Sequence, residues 1–535
     1  MKKSCLPFFA AALTAVICGG LLGYEYFYPY ALLCLVCFTF VNKKSNVNAK
    51  ALYLMLALFA LSFAMLFFGI NKEESATLFA KQCVYFSFFM LFSSVSDREK
   101  AFFVFMNGIL CGALYCFAVN FAALLMGILP VTDGRHAFTL VINYPNALAS
   151  LFGVSFIWCM SRKEKLYKAL SVFCVLGLLL TYSKAAIGIT LILTAVYVIL
   201  SGKKILGGAL AALFAAAAVF ALRMSSLSSF YERLIYYKDA LSVFLAYPLG
   251  CGGGGWSSVY NEYQSGFYAV KSVHSSFFAA MTDFGIFGII LFLCTAVLFA
   301  KLYFGARKNN KNTADTVFIS ALFLFFHSLI DTDADFPLFV LIFISCGCIL
   351  SQLRGGEKEI VFRRGTKAVS LILSTVFCVF SVSYGFYAAG IKKFSRGDEC
   401  AAEFDAAAKT NPVSASAFYM LGGVTGDAQK LYRAASLDPM NPKYYAALCS
   451  FTSGGEKLQN AERLCTLQPL TAEHYELLSE LLKENGEYDK ILQLSDTFDS
   501  VKKRINPATY LLHPDIKFEK SEKFIKNINK AQDLK

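Results

Sequence analysis

Apolar runs of roughly 18–25 residues recur along the chain to about residue 390, each long enough to cross a bilayer as a helix. In lipid a backbone must satisfy its own polar groups, so only helices and closed barrels span it. The runs are continuous rather than alternating, which selects helices over membrane strands. Composition agrees. Of 535 residues, 57% are hydrophobic and 16% charged, against about 45–50% and about 25% in an average soluble domain. A soluble enzyme, a secreted disulfide scaffold and a disordered chain are excluded. The sequence predicts an all-α polytopic membrane protein with about 12–13 transmembrane helices.

The runs fall near 6–23, 26–41, 51–70, 76–95, 102–129, 146–160, 169–183, 185–200, 205–222, 276–304, 315–330, 337–353 and 368–390. Met1-Lys2-Lys3 and the run to Gly23 have the look of a secretory signal. No small-residue cleavage site precedes a soluble domain and another span follows, so an uncleaved first helix is expected. Cytoplasmic loops carry an excess of Lys and Arg. With the N-terminus inside, alternate loops hold Lys43, Lys44 and Lys50; Arg98 and Lys100; Arg162, Lys163, Lys165 and Lys168; Lys203 and Lys204; Arg307, Lys308 and Lys311; and Arg354, Lys358, Arg363, Arg364 and Lys367. The short loops of opposite parity hold Lys72, Arg135 and Lys184. This asymmetry predicts a multi-pass cytoplasmic (inner or plasma) membrane protein with the N-terminus cytoplasmic and the C-terminal domain extracytoplasmic. It also accounts for much of the net charge of +13 without any nucleic acid.

Four regions follow: 1–222, N-terminal transmembrane helices; 223–275, a large extracytoplasmic loop; 276–391, C-terminal transmembrane helices; and 392–535, an extracytoplasmic helical domain. In the last, helix-ending signals recur at Asn411-Pro412, Asp438-Pro439 and Gln468-Pro469. The pattern resembles degenerate tetratricopeptide (TPR) repeats. Either a concave surface for a protein or glycan, or a plain helical cap, would satisfy it. Most of the 17 cysteines lie in apolar runs, and no zinc-type spacing is present, so no metal is expected. Cys400, Cys449 and Cys465 would lie outside the membrane, an odd number, and buried thiols are expected there.

Polar residues in or beside a span are functional candidates, because burying them in lipid is costly unless they are paired. They cluster on the outer side. Arg135-His136 precedes Asn143-Tyr144-Pro145-Asn146, where Asn146 could cap the following helix. Lys184 interrupts Tyr182-Ser183-Lys184-Ala185-Ala186, either as a ligand-binding cation or as a snorkelling anchor. The long loop holds Arg233, then Pro248-Leu249-Gly250-Cys251-Gly252-Gly253-Gly254-Gly255-Trp256, then Lys271 and His274. Glycines there could let backbone N–H groups approach phosphate oxygens, although Gly-rich turns are common. His274, at the water–membrane boundary, is a candidate general base or phosphate ligand. His327 stands four residues before Asp331, on one helical face, as a structural pair or, more sharply, a proton relay or metal site.

These motifs resemble the O-antigen ligase and O-antigen polymerase family of bacterial membrane glycosyltransferases. The resemblance rests on Arg135 with Tyr144-Pro145-Asn146, on Tyr182-Ser183-Lys184, on Arg233 followed by Pro248-Leu249-Gly250 and the glycines, and on His274 opening the span that carries Phe284-Gly285 and Gly288. It covers about residues 100–350. Lys184 departs from the family's usual Arg, which loses bidentate phosphate binding, and Ala185 departs from its usual Gly. The resemblance implies a metal-independent, cofactor-free enzyme of surface polysaccharide or glycoconjugate assembly. Its donor would be a polyprenyl-diphosphate-linked glycan and its acceptor a hydroxyl on a glycan, lipid or protein. It implies catalysis by His274 and Arg233, and diphosphate or glycan binding by Arg135, Lys184, Arg233, Lys271, Gly252 and Gly254. Asn146, His327 and Asp331 are secondary candidates, and the TPR-like region could bind a protein. The rival reading is a flippase for lipid-linked glycans, which would show internal pseudo-symmetry and ionisable groups at the bilayer midplane.

Overall fold

The computed structural model describes residues 6–39, 44–132, 135–202, 205–209, 228–361 and 364–534. The helices of the N-terminal part are α1 (Leu6–Ile17), α2 (Tyr24–Thr39), α3 (Ala49–Phe68), α4 (Lys72–Ser93), α5 (Arg98–Leu125), α6 (Pro145–Met160), α7 (Lys165–Leu180) and α8 (Lys184–Leu200). Next come α9 (Ser228–Ala246) and α10 (Gly255–Tyr263), then α11 (Ser276–Asn309), α12 (Lys311–Ser328), α13 (Pro337–Arg354) and α14 (Arg364–Phe394). Among the described residues six helices are long and apolar enough to cross a membrane: Ala49–Phe68, Lys72–Ser93, Arg98–Leu125, Ser276–Asn309, Pro337–Arg354 and Lys367–Phe394. The shorter apolar helices are α1, which precedes them, and α6 and α8, which lie among them in sequence. The expected span at 205–222 falls largely outside the described residues.

The helix starts follow from local chemistry. Asn48 accepts from the amides of Lys50 and Ala51 to open α3, Asn71 accepts from Glu74 to open α4, and Asp97 caps α5 at Lys100. Such side chains satisfy donors that have no partner within the helix. Helix α4 is the central post, with most of its residues buried, whereas α3 exposes Tyr53, Phe63, Phe67 and Phe68. An apolar surface of that kind suits lipid rather than water.

At one end of the bundle, strand β1 (Lys44–Val47) pairs antiparallel with a strand at Lys358–Val361. Buried Arg98 holds this end together. It donates to Glu357 at 2.6 Å, to the carbonyl of Ser93 at 2.6 Å and to the carbonyl of Asn46.

Helix α11 is broken rather than continuous. Gly285 has φ 60° and ψ −140°, a conformation open essentially to glycine alone. The loop segment 248–255 fills the break. Pro248 accepts from Ile286 N at 2.9 Å, Cys251 N donates to Thr282 O at 2.8 Å and Gly252 N to Asp283 O at 2.9 Å. Gly255 N donates to the Asp283 carboxylate at 2.8 Å. Backbone groups freed by the break are thereby satisfied, as a spanning helix requires.

After α14 the chain forms a succession of short helices from Ala401 to Asp533. Most of them pack chiefly on their sequence neighbours, the quasi-one-dimensional arrangement of stacked helices. This region is bolted to the start of α4. The buried Glu73 carboxylate accepts from Tyr384 Oη (3.1 Å), Ser414 Oγ (2.9 Å), Ser416 N (3.0 Å) and Ser416 Oγ (2.9 Å). Asn71 donates to Asp438 at 3.0 Å. Cys400, Cys449 and Cys465 are buried free thiols.

Candidate functional site

Asp331 is the hub of the site. It lies just after α12, is 1% exposed, and both its oxygens are fully engaged. Oδ1 accepts from Tyr144 Oη at 2.6 Å and from Thr332 N at 2.8 Å; Oδ2 accepts from Asn146 Nδ2 at 2.6 Å and from Arg233 at 3.1 Å. Burial alone would raise its carboxyl. The interaction with His274 and the charge of Arg233, with the Tyr144 bond, outweigh burial and hold it well below the usual carboxylate range. The hub is therefore an anion at any physiological pH.

His274 is aimed at this hub. Its Nδ1 lies 3.2 Å from Tyr144 Oη and 3.9 Å from Asp331 Oδ1. The tyrosine hydroxyl has one proton, and that proton goes to the carboxylate. Toward His274 the hydroxyl is therefore an acceptor, so Nδ1 carries a hydrogen, and in the neutral ring the lone pair is on Nε2. This is the tautomer a general base needs, fixed by a partner that is in turn oriented by a carboxylate. The imidazole sits between the Tyr144 ring (6.5 Å) and the Tyr236 ring (6.0 Å). Tyr237 donates to its carbonyl at 3.0 Å. His274 also has φ 52°, a strained conformation for a non-glycine residue that its buried neighbours Val273 and Ser275 enforce.

Arg233, on α9, also donates to the carbonyl of Ile330. Two of its nitrogens are thus anchored, while the side chain stays 22% exposed and keeps donors to offer. The structure brings together Arg233, His274, Asn146 and Asp331 from the sequence candidates. Asn146 does not cap its helix: Tyr144 occupies the N-cap position with Pro145 as the first helical residue, and the amide goes to Asp331 instead.

The remaining candidates lie in other surroundings. His327 pairs with Asp333 at 2.8 Å rather than with Asp331, and Ser150 bridges the two, 2.9 Å from His327 and donating to Asp333 at 3.0 Å. The chain turns after Ser328, so helical spacing no longer predicts which acid meets the histidine. Burial pushes the Asp333 carboxyl up despite His327. Lys184 is exposed at the start of α8 and Lys271 is exposed beside the cavity described below. The backbone of Arg135 lies in a short strand with His136, and its side chain is outside the described residues. Gly252 has a packing role: a Cβ there would come 2.5 Å from Gly69 Cα. Gly254, with φ 66°, begins α10 and borders the cavity.

A cavity of about 960 Å³ runs between α3, α4, α11 and α13. Its inner stretch is apolar, with Leu54, Met55, Leu291, Phe299, Val340 and Phe343. Its polar end reaches Ser272, Val273 and Ser276, on either side of His274, and Lys81 and Asp335. Lys81 donates to the carbonyl of Asp335 at 3.2 Å. Among the described residues no group of three His, Cys, Asp or Glu side chains is arranged to hold a metal ion.

Sequence reasoning missed Tyr144 as a site residue, although it sits in the Asn-Tyr-Pro-Asn motif at the mouth of a span. It also missed Lys81, a charged group in a predicted span, and the Glu73-Glu74 pair just before that span.

Fold and site together define a multi-pass, mostly helical membrane protein with a buried carboxylate, a tyrosine, a histidine and an arginine joined in one cluster close to an apolar cavity. Residues 169–293 match the family model described as O-antigen ligase, so the chain carries an O-antigen ligase family domain. The family implies glycosyltransferase activity on lipid-linked glycans. The matched stretch contains Lys184, Arg233, Gly252, Gly254, Lys271 and His274, and it leaves out Tyr144, Asn146 and Asp331. No curated protein matches the chain at a significant level.

Proposed function

We propose that this protein transfers a glycan from a polyprenyl diphosphate donor to an acceptor hydroxyl at the outer face of the cytoplasmic membrane. The observation that carries the reading is the chain His274–Tyr144–Asp331–Arg233 within hydrogen-bond reach of one another, beside an apolar cavity. The lone pair on His274 Nε2 takes the proton of the acceptor hydroxyl. The acceptor oxygen bonds to the anomeric carbon, and the bond from that carbon to the diphosphate oxygen breaks. Polyprenyl diphosphate leaves with the electron pair, and one displacement inverts the anomeric centre. Arg233, aided by Arg135, Lys184 and Lys271, stabilises the charge that develops on the leaving diphosphate, where preorganised cations act most strongly. The apolar stretch of the cavity is of a size typical of ligand sites and suits the polyprenyl tail. Gly254 keeps the backbone close to the glycan's path, and Gly252 supports it by packing on Gly69. Asn146 and Asp331 hold Tyr144 and Arg233 in place, and His327, with Asp333, braces the turn that bears Asp331.

The test is reconstituted transfer from a polyprenyl-diphosphate oligosaccharide, without nucleotide and with a chelator, against His274→Ala and Arg233→Ala. Product formation lost in both variants supports the reading. A ladder of longer lipid-linked chains identifies a polymerase, and a single transfer that needs an added acceptor identifies a ligase. Normal transfer by well-expressed His274→Ala overturns the base assignment. The cavity inside the bundle favours one second reading, a flippase. Movement of the lipid-linked glycan across the bilayer with no product formed would select it.

A further inference from the structure

The polar end of the cavity widens into a chamber with three walls: the start of α4, the loop helix α10 with the segment after it, and the C-terminal helical region. The loop wall is aromatic. Trp256 and Tyr260 stack at 5.3 Å and 18°, Tyr260 and Tyr268 at 5.8 Å and 18°, and Trp256 and Tyr268 are inclined by only 8°. Near-parallel rings of this kind offer flat apolar faces with polar edges.

The C-terminal wall offers hydrogen bonds. Asp438 is 2% exposed, and its Oδ2 is occupied by Asn71 at 3.0 Å and Asn441 at 3.2 Å. Its Oδ1 is buried without a partner. On the loop wall Trp256 Nε1 and Ser258 Oγ are also buried without partners. All three residues line the one cavity. Buried polar atoms in folded proteins are almost always paired, so orphans on three residues that line one cavity call for an explanation. Here one is an acceptor, one is a donor, and one is a hydroxyl that can be either. The group that completes them must donate and accept at once, as sugar hydroxyls do, and must present an apolar face to the rings.

We infer that the C-terminal helical region and helix α10 together form a carbohydrate subsite, in which Asp438 and Trp256 hydrogen-bond hydroxyls of a pyranose ring that packs on the aromatic wall. The inference rests on the glycosyltransferase reading for the source of that sugar, the donor's glycan or the acceptor's. It makes the C-terminal region part of the substrate site and not only a docking module.

The test uses the full chain in lipid nanodiscs and reads binding, not transfer. The chain has two tryptophans, Trp158 in a membrane helix and Trp256 in the chamber, so Trp158→Phe leaves a single reporter. The probes are lipid-free chito-, malto- and manno-oligosaccharides. The expected result is a saturable change in Trp256 emission with at least one of them. Asp438→Asn should weaken that binding about tenfold, the scale of one hydrogen bond to a charged group, with no loss of thermal stability. Tyr260→Ala, further from the interdomain contacts, should weaken it too. The oligosaccharide that binds is then presented on a polyprenyl diphosphate. Tighter binding assigns the subsite to the donor and unchanged binding assigns it to the acceptor, and either result supports the subsite. No emission change with any probe, or binding that survives both substitutions, overturns it. The two readings fail separately: a protein that binds sugar but transfers none refutes the glycosyltransferase reading, and normal transfer by Asp438→Asn without sugar binding refutes the subsite.

Discussion

Asp331→Asn is the sharpest perturbation available, because it preserves shape and changes only hydrogen-bonding capacity. The carboxylate faces four donors, two on each oxygen: Tyr144 Oη and Thr332 N on Oδ1, Asn146 Nδ2 and Arg233 on Oδ2. An amide has one oxygen. Whichever way it turns, its NH₂ group meets two donors, and two hydrogen bonds to a charged acceptor are lost. Each is worth about 1.5–3 kcal/mol. At 1% exposure water cannot replace them, and the Arg233 charge is left half-paired. Breaking a buried ion pair typically costs about 3–5 kcal/mol, and the same range is expected here for stability. If about 3 kcal/mol of it is also lost in the transition state, kcat/KM falls about a hundredfold. The sign with pH is fixed. A carboxyl held below its unfolded value contributes fully above about pH 4, and that contribution is lost as pH falls through the folded value. The gap in unfolding temperature between wild type and variant should therefore be open at pH 5–8 and close in strong acid. The assays are glycan transfer in nanodiscs and thermal unfolding of the same samples. Transfer within about threefold of wild type, with unchanged unfolding, would refute the hub.

Three further outcomes are expected. Gly285→Ala places a Cβ 2.1 Å from Pro248 O at a φ that alanine rarely adopts, so folded yield and unfolding temperature should drop by the equivalent of at least about 1–3 kcal/mol, whereas Gly188→Ala, with open space around it, should be neutral or stabilising. Glu73→Gln removes the charge that gathers Tyr384, Ser414 and Ser416; limited proteolysis should then cut the C-terminal region faster, with the bundle core still protected. Burial pushes the Asp438 carboxyl up to about 7, with Asn441 opposing and Glu74 and Glu73 adding to the shift. Against an unfolded value of about 3.9 this is about 4 kcal/mol of stability present below pH 4 and lost as pH rises to 7. Asp438→Asn has no charge to bury and escapes that loss, so its advantage in unfolding temperature should grow between pH 5 and pH 8.

The helices were legible because lipid imposes one rule on every span, and continuous apolar runs state it directly. Chemistry was legible where a polar residue broke that rule beside a span: His274, Arg233, Asn146 and Asp331 were all singled out in this way. Their partnerships were not legible. Tyr144 lies 130 residues from His274 and 187 from Asp331, and no local period encodes contacts of that range. Local spacing even misled, pairing His327 with Asp331 when a turn delivers Asp333 instead. The glycine run was read for phosphate, yet most of it serves the break in α11, because sequence shows that a backbone must come close to something without saying to what.

The same long-range construction explains why the family match stops short of a complete site. The matched residues 169–293 carry the two side chains of the cluster that keep exposed surface to offer a substrate, His274 and Arg233. The group that orients both, Asp331, comes from the turn after α12, and the hydroxyl that fixes the histidine tautomer comes from the start of α6. Pro145 sets that start, which points Tyr144 and Asn146 at the carboxylate from one helix end. A matched segment cut out alone would keep its reactive groups and lose the anion that holds them. His274 Nδ1 would have no acceptor and Arg233 no counter-charge. The working unit is therefore the loop together with the helix ends on both sides of it, and substitutions at Tyr144, Asn146 and Asp331 should fall in the same kinetic class as those at His274 and Arg233.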